Sequence, residues 1–259
     1  MSNEYLSKIL VLGSKPDAII PSFDYAFCAN ASAGYYRDEL IDYKDKIISI
    51  VSSTEVIENK RIGSRDKDKW LSEKRKMIAD FPSSKLVLHW VDVYPEAIQS
   101  LIDAGCKSPI EALPTMEVKK LEKNLCNIVE PIFTYDHIKG GARRALFNTV
   151  NYIIQLISSL FNRCYNATGL YRPSTGIVSL LYAISIHGDK AEYILSGIGI
   201  TGRGSYPDGV KNTWSRKVNL DSYHVLVDKR IIKILSNRYN IKTTEVGLQS
   251  ILPMYDAHL

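Results

Sequence analysis

Cysteine is scarce in this chain of 259 residues, and the four present (Cys28, Cys106, Cys126 and Cys164) lie far apart, with no C-x-x-C and no short Cys/His spacing. That spacing excludes a zinc knuckle and a secreted disulfide framework, and it fits a reducing cytoplasm. Long apolar runs are missing too. No stretch reaches about 18 uninterrupted apolar residues, so no membrane-spanning helix is expected. Residues 1–5 are polar, without a basic n-region, an apolar core or a cleavage site, so no secretory signal is expected. The glycine-rich phosphate motifs fail as well. G-x-G-x-x-G is broken by Lys15 and Ala18, which removes the main support for an NAD or FAD dehydrogenase. No G-x-x-x-x-G-K-[ST] occurs, which sets aside the ordinary kinases and ATPases. No Ser-His-Asp order and no H-E-x-x-H stands out, and His89, His137, His187 and His258 have no informative context. Internal repeats, low-complexity stretches and linkers are absent, which favours a single domain over 1–259.

What is present is the composition of an ordinary globular protein, 45% hydrophobic and 24% charged. A chain of this length can bury about 70–75% of its unfolded surface, so no disulfide or metal staple is needed. The net charge of +5 is unevenly placed: residues 60–76 carry eight Lys/Arg against three Asp/Glu, which accounts for the whole excess. That segment is either a solvated helix and loop or a surface for anionic lipid headgroups or a charged glycan. Nucleic acid is not expected as a partner, since Trp70 is the only stacking aromatic there and no reading motif is matched.

Short β-branched apolar runs alternate with stretches of helical period. Candidate strands are 8–12, 25–29, 47–51, 85–91, 128–133, 192–195 and 243–248. Their near-continuous Ile/Leu/Val character suits strands buried on both faces, hence a parallel sheet covered by helices. Candidate helices are 34–43, 66–80, 95–104, 114–125, 142–163, 176–187 and 228–239. This alternation predicts an α/β fold: one Rossmann-like domain with a mostly parallel sheet of about seven strands flanked by helices. The stretch 142–163, flanked by Arg143, Arg144 and Arg163, reads either as a core helix or as a membrane-surface or partner-binding helix. Residues 200–224 are turn-rich and irregular, the pattern of a lid or binding loop.

Several residues could carry chemistry. Gly13-Ser14 follows the first strand, where ligands bind in open α/β sheets, and Gly13 would let backbone approach a ligand closely. The same pair reads equally as a plain strand-to-helix turn. Asn30 ends the second strand and offers an amide to a ribose hydroxyl or base edge, or serves as an Asx-type turn residue. Ser52 ends the third strand, in a Ser52-Ser53-Thr54 run that would also suit a helix cap. In Arg172-Pro173-Ser174-Thr175-Gly176, two hydroxyls, an arginine and a helix start make an anion site for a phosphate or carboxylate. His224 stands before the expected helix at 228–239 and is by type suited to general-base work, while a histidine at a helix start taken alone is more often structural.

In order, these pieces resemble the bacterial sialyltransferases of glycosyltransferase family 42. The resemblance rests on Gly13-Ser14-Lys15-Pro16, Cys28-Ala29-Asn30, Arg172-Pro173-Ser174-Thr175-Gly176, Tyr193-Ile194-Leu195-Ser196-Gly197-Ile198, Gly204-Ser205-Tyr206 and Ser222-Tyr223-His224. It is firm over 165–259, fair over 8–54 and lost over 60–160. The family has Asp and Tyr where this chain has Gly199 and Thr201. The resemblance implies transfer of a sugar acid (sialic acid, 3-deoxy-manno-octulosonic acid or a related nonulosonate) from a CMP-activated donor to a hydroxyl of a glycan or glycolipid acceptor. Bacterial surface polysaccharide or lipooligosaccharide synthesis is the implied setting. CMP-sugar is then a co-substrate; no cofactor and no metal are implied. Gly13, Ser14 and Asn30 would hold the cytidine and ribose, with Ser52 among the substrate-binding residues. Arg172, Ser174, Thr175, Gly176 and Tyr223 would complete the substrate site. Tyr206 would hydrogen-bond the leaving phosphate, and His224 would take the acceptor proton.

Two other readings stay open. One is a glycosyltransferase using another nucleotide-sugar on the same fold. The other is a non-catalytic module that docks on a membrane-associated partner through 60–76 or 142–163. The implied location is the cytoplasm, with peripheral contact at the inner face of the membrane as a further option.

Overall fold

The computed structural model describes residues 6–15, 17–57, 65–92, 94–127, 146, 150, 173–199 and 223–256, with side chains throughout except at 65–71 and 223–226. Seven strands form one sheet, and every pairing is parallel. They are β1 (Ser7–Leu12), β2 (Tyr25–Ala29), β3 (Ile47–Ser52), β4 (Lys85–His89), β5 (Ile110–Leu113), β6 (Ala191–Ser196) and β7 (Asn240–Thr243), in the spatial order β5-β4-β3-β2-β1-β6-β7. The α-helices whose bounds the described residues show are α1 (Ser32–Tyr35), α2 (Arg37–Leu40), α3 (Arg65–Asp80), α4 (Glu96–Asp103), α5 (Thr115–Cys126), α6 (Thr175–His187) and α7 (Tyr223–Ser236). A Rossmann-like α/β architecture follows directly, as the apolar runs implied.

Alternation along the strands divides the core. Ile9, Val11, Phe27 and Ile50 face one side, where they pack with Ile177, Leu180 and Leu181 of α6 and Ile231 and Leu235 of α7. Leu10, Leu12, Ala26 and Cys28 face the other side, against Ala33 of α1, Leu40 of α2 and Phe81. On that side Val51, Leu86 and Leu88 meet Ile78 of α3 and Ala97 and Leu101 of α4. Covering both faces is why β1 and β6 tolerate no polar alternation. Helix α6 is buried on most of its circumference, because α5 and α7 cover the side turned away from the sheet.

The helices at 66–80, 95–104, 114–125 and 176–187 match α3, α4, α5 and α6 to within one residue at each end. The stretch 34–43 is instead α1, α2 and a 3-10 helix over Ile41–Lys46. The strand expected at 85–91 ends at His89, because Trp90 turns the chain with a φ of 65°. The strand expected at 243–248 is Asn240–Thr243, followed by a 3-10 turn over Val246–Leu248. There the Thr243 hydroxyl accepts the Glu245 N–H at 3.0 Å, folding the chain back from the sheet. Strand β5 was not expected: four residues between Pro109 and Pro114, with Glu111 among them, make no apolar run. As an edge strand it needs none. Residues 128–133 and 142–163 lie outside the described residues, apart from Leu146 and Val150, which are helical and exposed. Among the described residues no helix is long and apolar enough to cross a membrane.

The strand order reverses between β1 and β6, and the connections leaving them diverge. Among the described residues no helix stands between β1 and β2. The chain crosses to β2 in an extended connection that lays Ala18, Ile20 and Phe23 beside Leu10 and Leu12. That corrects the strand-to-helix reading of Gly13-Ser14. After β6 the next described element, α7, lies on the opposite face. Connections that part in this way leave a crevice at the carboxyl ends of the two strands.

Candidate active site at the β1/β6 switch point

Two turns interlock at that crevice. Leu12 of β1 pairs with Ser196 of β6, so Gly13 and Gly197 come side by side. The Gly13 N–H donates to Ser196 O at 2.8 Å, and the Lys15 N–H donates to Gly197 O at 3.0 Å. A Cβ on Gly13 would stand 2.2 Å from Gly197 O, while Gly197 itself has a φ of 66°. The close approach expected of Gly13 toward a ligand is thus made toward Gly197, and packing by itself accounts for the glycine. Ser14, half-buried, follows directly.

The neighbouring strand ends add polar groups. Asn30 turns the chain with a φ of 53°, and its Oδ1 accepts the Ser52 N–H at 3.1 Å. The amide oxygen is therefore a structural acceptor, which leaves its NH2 group as the donor available to a ligand. Ser52 is buried, with its hydroxyl 2.8 Å from that of Thr54. Ser53 donates to His89 O at 2.7 Å, tying the end of β3 to that of β4.

Helix α6 brings its first turn to the same edge. Ser174 is the N-cap residue, but its hydroxyl makes no capping bond to the helix. The helix start is neutralised from α7 instead: the Ser174 N–H donates to Asp228 Oδ1 at 2.9 Å. Asp228 is buried, and desolvation pushes its carboxyl up to about 7, with hydrogen bonds from Ser174 acting the other way. It can therefore change protonation in the neutral range. Thr175 is the first helical residue, its Oγ1 3.3 Å from Nε2 of the buried His89. Gly176 is buried, and a Cβ there would meet Ile198 at 3.4 Å, an ordinary contact. Among the described residues no acceptor meets the N–H of Thr175 or Gly176, so donors remain for an anion.

Helix α7 begins at Tyr223, five residues earlier than expected, so His224 is its second residue rather than a residue before it. Aromatic and β-branched residues at 223–227 are poor helix formers, but Val227, Ile231, Ile232 and Leu235 form one buried stripe that carries the helix through them. His224 stands one helical turn before Asp228. Arg172, Tyr206 and residues 200–222 of the expected lid lie outside the described residues.

The structure thus brings Gly13, Ser14, Asn30, Ser52, Ser174, Thr175 and Gly176 to one edge of the sheet, with the helix that carries Tyr223 and His224. Sequence reasoning overlooked His89, Lys15 and Glu245. His89 fell inside the expected strand 85–91 and only the shorter strand brings it to a strand end; Glu245 likewise carried no signal. A separate open groove of about 710 Å³ runs between α3 and α4, lined by Arg75, Lys76, Glu96 and Asp103. Its charges have both signs and Arg75 already donates to Ser100 at 2.9 Å, so it reads as a solvated seam between helices. Among the described residues no group of three or more His, Cys, Asp or Glu is placed to hold a metal ion. No family model, no curated protein and no solved structure matches this chain.

Proposed function

We propose that the chain is a glycosyltransferase that moves a sugar acid from a CMP-activated donor to a hydroxyl of a glycan acceptor. The observation that carries the reading is the bond from Ser174 N–H to Asp228. It joins the first turn of α6, where the Thr175 and Gly176 N–H groups meet no acceptor among the described residues, to the helix that bears His224, at the switch point where Gly13 and Ser14 follow β1. A nucleotide in that crevice would meet Ser14, the Asn30 amide and Ser52 with its nucleoside. The α6 start, with Arg172, would receive an anionic group of the donor. The ordered resemblance over 165–259 supplies the donor class.

On this reading His224 is the general base. It takes the proton of the acceptor hydroxyl as that oxygen bonds to the anomeric carbon, and CMP departs with the electrons of the glycosidic bond. Tyr206 donates a hydrogen bond to the departing phosphate. The test is incubation with CMP-sialic acid and with CMP-3-deoxy-manno-octulosonic acid in EDTA, scoring CMP release. Wild type should release CMP from one of them, and His224→Ala should lose about 100-fold or more of the rate. No release from either donor overturns the reading. Activity retained in His224→Ala overturns only the assignment of the base. Thermal shifts with CMP, UDP and GDP separate this donor class from other nucleotide-sugars, since a ligand at 100 times its Kd stabilises by about 2.7 kcal/mol.

A further inference from the structure

We propose that Lys15 is the anion-binding cation of this crevice, taking the phosphate of the bound nucleotide, and that its pairing with buried Glu245 limits how tightly that phosphate is held. The inference rests on the nucleotide reading above and adds a residue to it. The charges at this edge of the sheet point to Lys15. In the described residues that follow each strand before the next helix is under way (13–15, 30–36, 53–57, 90–92, 114, 197–199 and 244–256), Lys15 is the only Lys or Arg. A phosphate bound at the β1 and β6 turns would meet Glu245 and Lys15, whereas Glu55, further along the same edge, is already paired with Lys74.

The position of Lys15 is built rather than incidental. Its N–H is fixed on Gly197 O by the interlocked turns. Its ammonium pairs with Glu245. Glu245 is buried, and its other oxygen accepts the Gly197 N–H at 2.8 Å. One carboxylate thus pins both the β6 turn and the lysine. The Lys15 side chain is 41% exposed while that of Glu245 is 8% exposed, so the pair turns its cationic end outward. An ammonium has three donors, and Glu245 engages one, leaving others for phosphate oxygens. Glu245 also opposes an approaching anion, so the pair sets how tightly phosphate is held.

The experiment is isothermal titration of the full chain with CMP, UMP, GMP, cytidine and inorganic pyrophosphate, for wild type, Lys15→Met, Lys15→Arg and Glu245→Gln. Wild type should bind CMP about tenfold or more tightly than cytidine, and Lys15→Met should abolish that difference while leaving cytidine unchanged. Lys15→Arg should keep the difference, and it carries the test if the Met variant does not fold. Glu245→Gln should tighten CMP severalfold, in the opposite direction. A CMP-to-cytidine difference that survives in Lys15→Met overturns the inference, as does a parallel fall of both ligands or weaker CMP binding in Glu245→Gln. If wild type does not prefer CMP to UMP and GMP, the CMP reading fails by itself, and Lys15 is then judged on pyrophosphate. Pyrophosphate binding lost in Lys15→Met supports it. Pyrophosphate binding that is unchanged there, or absent from wild type, overturns it.

Discussion

Gly13 and Gly197 meet back to back at the end of two adjacent parallel strands, so close that a Cβ on the first would stand 2.2 Å from the carbonyl oxygen of the second. Neither turn can move away without losing the bonds from Gly13 N–H to Ser196 O and from Lys15 N–H to Gly197 O. The contact is backbone on backbone, so no side chain can rotate to relieve it. Gly13→Ala should therefore cost about 2–4 kcal/mol, read as a lower urea midpoint at unchanged m-value. Ser14→Ala, one residue on, should leave the midpoint within about 0.5 kcal/mol and weaken CMP binding instead. An unchanged midpoint in Gly13→Ala would remove the interlock as the reason for that glycine.

Asp228 makes stability depend on pH in a defined direction. Its carboxyl is raised to about 7 in the folded chain by burial, against about 3.9 when unfolded. Between those values the folded state holds the proton that the unfolded state has lost, so the stability associated with this group is fully present below about pH 4. It falls as pH rises toward 7, and it is constant above that. Asp228→Asn keeps an oxygen for the Ser174 N–H and removes the titration. The variant should flatten the melting temperature between pH 4 and 7 and be more stable than wild type at pH 8. A wild-type profile that rises across this window would contradict the assignment.

Asn30 combines a left-handed backbone with a bond to the next strand. Asn30→Ala keeps the strained φ of 53° and leaves the Ser52 N–H without its acceptor, so it should cost about 1–3 kcal/mol. Asn30→Gly relieves the backbone and should cost less than the alanine. The order of the two urea midpoints is the check, and a glycine variant less stable than the alanine would refute the backbone part of the account.

Cys28 should be chemically silent in the native protein. Burial in the sheet pushes its thiol up to about 12, and the thiolate is the reactive form. Iodoacetamide at pH 8, followed by peptide mass mapping, should leave Cys28 unmodified until urea unfolds the chain. Labelling of Cys28 at the rate of a free thiol in native conditions would show that the β2 core opens far more readily than its packing implies.

How much of this was legible beforehand differs from element to element. Strands β1, β2, β3 and β6 announced themselves, because strands covered on both faces are apolar at most positions, and a polar exception such as Ser49 needs a buried partner, here Ser83. Helix α6 did so through Ile177, Leu180, Leu181 and Ile184, with Gly188 closing it. Edge strand β5, with Glu111 paired to Lys85 across the strand, showed no such run. The start of α7 was hidden because aromatic and β-branched residues at 223–227 favour other conformations locally, while the apolar stripe of Val227, Ile231 and Leu235 that packs the helix lies mostly further along. At the site, Ser174 and Thr175 were recognisable as a helix start, but the partner that neutralises that start was not.

The sequence by itself determined the α/β class, the parallel sheet and the set of hydroxyl and amide residues at strand ends, because periodicity and apolar runs are local properties. The tertiary structure alone decided which of those ends meet. Lys15 and Glu245 are 230 residues apart, and Ser174 and Asp228 are 54 apart. Such pairs leave no periodic trace, since they follow from the strand order that sets β6 beside β1 and β7 beside β6. That order is settled by how two buried faces are covered together, a condition on the whole chain rather than on any segment of it.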